Sequence, residues 1–156
     1  MFASHQNFDF DAKPGDLIEI FRGTYEHWAI YIGGNEVIHL IPSSDGLLMF
    51  VDTDRAQVKR QKIWEVVGHH RFEINNFLDH KYEPHERRII VRDACSMVGQ
   101  ELQYSLATHN CEHFVTELRY GKPESRQVSL GVRLGLWLVC TGLLICGWVL
   151  QMYVLV

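Results

Sequence analysis

From Leu134 to Val156 the chain runs for 23 residues without a charged side chain, in a stretch rich in Leu, Val, Ile and Trp. At about 1.5 Å per residue a helix of that length crosses a bilayer core of about 30 Å. The residues left over form too small a domain to cover such a helix on every side. The run therefore predicts a transmembrane helix over 134–156. Lys122, Arg126 and Arg133 precede it and no basic residue follows it, so the positive-inside tendency predicts a single-pass tail anchor with the preceding domain on the cytosolic side. Trp137, Trp148 and Tyr153 suit aromatic positions near the two interfaces.

What precedes the anchor suffices for one core. A formal charge of −4 with no clustered lysine or arginine run argues against nucleic acid as a partner, because phosphate affinity needs a basic surface. The four cysteines, Cys95, Cys111, Cys140 and Cys146, are irregularly spaced, and Met1–His5 lacks the basic and apolar regions of a signal peptide. Together these predict a cytosolic soluble part with reduced thiols.

Residues 1–12 read as a loose lead-in, closed by the turn Lys13-Pro14-Gly15-Asp16. Leu17–Phe21 and His27–Ile32 are β-rich, and Gly33-Gly34-Asn35 is a turn into Val37–Leu40, which predicts an antiparallel meander. Ile41–Val58 reads as a long surface loop, with strands predicted at Gln61–Val67 and Arg71–Ile74. Between Pro84 and Gly99 the apolar residues Ile90, Ala94, Met97 and Val98 recur at helical spacing, placing Cys95 on the apolar side. Cys111, Phe114, Val115 and Leu118 predict a second helix, with Asn110 as its N-cap and Gly121 then Pro123 as its stop. Residues 124–133 are a short polar linker to the anchor.

Cys111 falls in the first turn of that helix, where unpaired N–H groups and the dipole favour an anion, so its thiolate is expected to form more readily than that of an ordinary cysteine near pKa 8.5. A thiol nucleophile needs an imidazole within about 3 Å and a third polar group to orient it. His27 and His39, on neighbouring strands, are the natural suppliers. The same pattern also suits an inert core cysteine. His109, Cys111 and His113 invite a zinc reading, but i, i+2, i+4 spacing does not point three side chains to one side of a helix. The remaining histidines, His5, His69, His70, His80 and His85, read as solvated surface.

Three stretches resemble the phospholipase A and acyltransferase family, also called the HRAS-like suppressors, within the wider lecithin:retinol acyltransferase group. They are Lys13-Pro14-Gly15-Asp16-Leu17-Ile18-Glu19-Ile20-Phe21, His27-Trp28-Ala29-Ile30-Tyr31-Ile32-Gly33 and Asn110-Cys111-Glu112-His113-Phe114-Val115-Thr116-Glu117-Leu118-Arg119-Tyr120-Gly121. The similarity covers about residues 13–123. The resemblance implies an α+β architecture, a circularly permuted NlpC-type papain-like fold in which the histidine-bearing sheet precedes the cysteine helix, here followed by the transmembrane helix. It implies Cys111 as the nucleophile that carries the acyl thioester, His27 as general base and acid, and His39 as the residue that orients His27, with no cofactor and no metal. The implied activity is calcium-independent hydrolysis of glycerophospholipids at the sn-1 or sn-2 ester. Transfer of the acyl group goes to the amine of phosphatidylethanolamine or to a lysophospholipid hydroxyl, with phosphatidylcholine and phosphatidylethanolamine as substrates at a membrane. Three departures stand out: Arg22-Gly23-Thr24-Tyr25 replaces an Arg-Pro pattern ahead of His27 and is expected to loosen the loop leading to it, Ser43–Val58 lacks a clear match to the family pattern, and the basic tail often seen after the anchor is not found. The competing readings are a catalytically idle tail-anchored adaptor and a cysteine peptidase or isopeptidase.

Overall fold

The computed structural model describes residues 11–42, 55–105 and 108–128. Leu17–Phe21 (β1), Glu26–Gly33 (β2) and Glu36–Pro42 (β3) form the expected meander, and Arg55–Lys62 (β4), Phe72–Ile74 (β5) and Glu101–Gln103 (β6) complete a sheet ordered β5-β1-β2-β3-β4-β6. Every pairing is antiparallel. The helices are α1 (Ile63–Val67), α2 (Arg87–Ser96) and α3 (Cys111–Tyr120). This is the α+β arrangement the sequence predicts, with the histidine-bearing strands ahead of the cysteine helix.

The β2–β3 hairpin is tight because Gly34 and Asn35 both adopt φ 60°, the left-handed pair that a two-residue type I′ turn requires and that glycine and asparagine tolerate best. The central strands β1, β2 and β3 carry long apolar stretches because both faces of the sheet are covered there. On one face Leu17, Trp28, Ile30, Ile38 and Val58 pack with Ile90 and Ala94 of α2 and with Cys111, Phe114 and Val115 of α3. On the other, Ile18, Ile20, Ala29, Tyr31 and Val37 pack with Ile63, Val66 and Val67 of α1.

Three expectations are corrected. The strand predicted over Gln61–Val67 divides: β4 ends at Lys62 and Ile63–Val67 is helical. Its β-branched content suggests a strand, but Ile63, Val66 and Val67 at i, i+3 and i+4 bury one stripe on the sheet, and that packing outweighs local propensity. The loop predicted over Ile41–Val58 is corrected at both ends, since β3 runs to Pro42 and β4 begins at Arg55, while residues 43–54 lie outside the described residues. Cys95 is exposed, because α2 buries only the narrow stripe of Ile90 and Ala94 and the next residue turns about 100° away from it.

The chain divides into two units, Met1–Ser125 and Arg126–Val156. Of the second, 126–128 are described and are helical. The predicted membrane span 134–156 and the linker beyond residue 128 lie outside the described residues. Among the described residues no helix is long and apolar enough to cross a membrane.

Candidate active site

The hairpin brings the two predicted histidines together. Ala29 pairs with His39, so His27, two residues earlier on the same face of β2, is the diagonal neighbour of His39 and within reach of its ring. His27 Nε2 and His39 Nδ1 are hydrogen-bonded at 2.8 Å, with the rings edge-on at 79°. The other nitrogen of His39, Nε2, is bonded to Oε1 of Gln61 at 2.9 Å. Gln61 sits diagonally across on β4, two residues beyond the Lys59 that pairs with His39. Nothing in the sequence singled it out, because a glutamine on a polar strand carries no chemical signal until its neighbour is known.

The third predicted residue, Cys111, opens α3. Asn110 caps the helix as expected: its Oδ1 accepts from the N–H of Glu112 at 3.0 Å and of His113 at 3.1 Å, while His113 Nδ1 accepts from the Asn110 N–H in a capping box. His113 thus serves the cap, and His109 bonds Thr108; among the described residues no group of three or more His, Cys, Asp or Glu converges as a metal site. The Cys111 sulfur lies 3.9 Å from the carbonyl oxygen of Glu26, and the backbone N–H groups of Trp28, of Cys111 itself and of Glu112 favour its thiolate. Glu26 and Trp28 flank His27, so the sulfur rests on β2 on both sides of the histidine. It does so just before β2 and β3 begin to pair at Ala29.

Burial dominates the electrostatics. Desolvation pushes the Cys111 thiol up to about 12, although three backbone donors pull the other way, and the charge of neighbouring Glu112 adds to the rise. The expectation of an easily formed thiolate is therefore overturned: the helix start supplies its donors, but Cys111 is only 6% exposed and removal from water outweighs them. Desolvation likewise holds His27 well below its ordinary value of 6.5, aided by His39 and Arg22. His39 is drawn down to about 4 by burial and by the positive Arg22 and Lys59, against the pull of its bond to Gln61. Tyr25 and Tyr104, both electrostatically coupled to Cys111, are raised by burial and keep their phenol protons. The resting site holds a neutral thiol, seated against the backbone on either side of His27, and two neutral imidazoles bonded to each other.

The chain ahead of His27 is pinned: the Arg22 N–H bonds the Tyr25 carbonyl at 3.0 Å and the Arg22 Nη2 donates to the Val66 carbonyl at 2.6 Å. The three stretches that carry the family resemblance also meet in space. Trp28 of the second donates to Cys111 of the third, and Arg119 of the third donates to the carbonyl of Gly15 in the first at 2.8 Å.

The family model described as lecithin retinol acyltransferase matches residues 11–124. The chain belongs to this family. It is 47% identical over 135 residues to human phospholipase A and acyltransferase 4, covering 83% of this chain and 80% of that protein. It is 46% identical over 129 residues to mouse phospholipase A and acyltransferase 3, covering 79% and 80%, and 44% identical over 135 residues to human phospholipase A and acyltransferase 2, covering 80% and 83%. As a member of the lecithin retinol acyltransferase family, the chain is an enzyme.

Proposed function

We propose that this enzyme is a calcium-independent phospholipase A and phospholipid acyltransferase that works through an acyl thioester on Cys111. The observation that carries the reading is the meeting of Cys111 with the backbone on either side of His27, while His27 is bonded to His39. The names of the relatives supply the reaction class.

Because thiol and imidazole rest neutral, proton transfer accompanies attack instead of preceding it. His27 Nδ1, the nitrogen not bonded to His39, takes the Cys111 proton as the sulfur adds to the ester carbonyl of a glycerophospholipid. Backbone N–H groups at the start of α3, that of Cys111 among them, stabilise the oxyanion. The carbonyl re-forms, the carbon–oxygen bond breaks, and the lysophospholipid leaves with the proton from His27. In the second half His27 deprotonates water, the amine of phosphatidylethanolamine or a lysophospholipid hydroxyl, which adds to the thioester and releases the Cys111 thiol. A tail anchor over 134–156 would hold the site at the surface of its own substrate, on the cytosolic side, raising effective concentration and favouring transfer over hydrolysis.

The test is intact-mass analysis of the full-length chain in mixed micelles with labelled phosphatidylcholine and a calcium chelator. An acyl adduct on Cys111, absent from Cys111→Ser, is the expected result. No adduct and no fatty acid release, with cleavage of a peptide instead, would replace this reading by the peptidase one; inertness on both would leave the adaptor.

A further inference from the structure

We infer that Gln61, which has no acid–base chemistry of its own, fixes the protonation pattern of both imidazoles and so decides what His27 presents to Cys111. The inference rests on His27 being the base. The contacts form a line: Gln61 Oε1 to His39 Nε2 at 2.9 Å, then His39 Nδ1 to His27 Nε2 at 2.8 Å. An amide oxygen has no proton to give, so His39 carries its proton on Nε2. A neutral imidazole has one N–H, so His39 Nδ1 accepts, and the proton between the rings belongs to His27 Nε2. His27 Nδ1 is then a bare lone pair, the form that can take a thiol proton. The opposite tautomer would carry the proton on Nδ1 and leave no lone pair there to take a thiol proton, so it could not act as base.

The argument requires both rings to stay neutral, and their surroundings keep them so. Arg22, at the end of β1, is positive beside both rings, and Lys59 on β4 is positive beside His39. Arg22 is itself held by the Val66 carbonyl of α1. A carboxylate at position 61 would act differently. It would hold His39 as an imidazolium, whose Nδ1–H would donate to His27 Nε2 and drive the His27 proton onto Nδ1. An uncharged acceptor orients the pair without charging it, which makes Gln61 a positioning residue matched to a base that must remain neutral.

Three forms of the full-length chain in mixed micelles with phosphatidylcholine test this: wild type, Gln61→Leu and Gln61→Glu. Nitrogen-15 NMR of labelled histidine in the wild type is expected to show the Nε2–H tautomer on both rings. Gln61→Leu is expected to lose about 10- to 100-fold in kcat with little change in KM, and its His39 signal to report mixed tautomers. Gln61→Glu keeps the shape and an acceptor oxygen, so it is expected to recover most of kcat at alkaline pH while its acid limb moves to higher pH. An Nδ1–H proton on either ring of the wild type, or a Gln61→Leu variant with unchanged kcat and pH profile, overturns the inference. An inert His27→Ala beside a fully active Gln61→Leu would sink this inference alone, whereas a His27→Ala that still acylates Cys111 at the wild-type rate would sink the reading beneath it.

Discussion

The two ends of α3 bury ionisable groups and resolve the conflict in opposite ways. At the N-terminal end burial wins: the thiol is driven up, the imidazoles are driven down, and all three rest uncharged. At the C-terminal end partners win. Arg119, 2% exposed, donates to both carboxylate oxygens of Asp79 and to the Gly15 carbonyl, and Tyr120 donates to Asp79 at 2.7 Å. There burial opposes both charges, yet the mutual bonds hold Arg119 above and Asp79 below their ordinary values. Asp16 extends the brace to Arg87 at 2.8 Å and to Asn76 at 3.1 Å. The difference lies in what a charge would find. A guanidinium meets a carboxylate in bidentate geometry and keeps its charge, whereas a thiolate at Cys111 would meet peptide N–H groups, burial and the opposing charge of Glu112. One end of the helix is braced, and the other is held ready to exchange a proton.

The sharpest way to break the comparison is to substitute at each end and read activity and stability separately. Cys111→Ala removes the nucleophile, so lipid hydrolysis and acyl adduct formation are expected to fall by more than about 1,000-fold. Urea unfolding of the same variant is expected to shift by less than about 1 kcal/mol, because no charge or capping bond is disturbed. Arg119→Met has the reverse signature. It strands the Gly15 carbonyl and the Asp79 carboxylate, and since Asp79 keeps 42% of its side chain exposed and can regain water, the expected cost is about 3 kcal/mol, at the low end for a broken buried pair. Activity per folded molecule should hold near wild type. A dead but fully stable Arg119→Met would show that the brace belongs to the chemistry.

The pH dependence of stability sharpens the contrast further. Both imidazoles have lower pKa values folded than unfolded, so below pH 6.5 the unfolded chain binds more protons than the folded one. Stability is complete above that pH and declines as pH falls through it. For His39, held at about 4, the loss amounts to about 2 kcal/mol by pH 5. Asp79 behaves oppositely in range: its depressed value keeps it charged until well below the ordinary carboxylate pKa, so the brace contributes no decline between pH 6.5 and 5. Urea titrations at pH 7.5, 6 and 5 measure the slope. A flat profile down to pH 5 would mean that the imidazoles are not held neutral.

The sequence made one end of this comparison far more legible than the other. Asn110 and Gly121 bound α3 in residues whose capping chemistry is local, and the alternation in β1 to β3 is written in consecutive side chains, so helix, hairpin and the His27–His39 neighbourhood could be anticipated from spacing. Arg119, Asp79 and Asp16 are separated by long stretches of chain and join only once the sheet closes on the helix, so nothing in their spacing announces a brace. Gln61 was hidden for the same reason, compounded by a misread register in which it opened a strand instead of nearly ending one. The thiol's ionisation was misjudged because helix position is a local property and burial is not: Cys111 has the donors its place predicts, but the desolvation that outweighs them comes from the strands packed over it.

The smallest expected effects come from the two caps, and they separate the ends most cleanly because their energies match. Asn110→Ala removes the acceptor for the Glu112 and His113 N–H groups, a loss of about 1 kcal/mol. Gly121→Ala forces a side chain onto φ 65°, which glycine adopts freely and alanine does not, and its Cβ would come within 3.2 Å of the His85 ring; His85 is exposed and can swing aside, so the cost is again about 1 kcal/mol. Equal destabilisation need not mean equal function. Losing the Asn110 cap frays the turn that aims the Cys111 and Glu112 N–H groups at the sulfur, so kcat is expected to drop about 10-fold or more. Losing the Gly121 cap frays a turn next to the brace, and kcat should be unchanged at temperatures where the protein remains folded. Thermal melts and initial rates on the two variants side by side make the comparison, and equal losses of kcat would mean that α3 acts as one rigid unit whose ends cannot be assigned separate tasks.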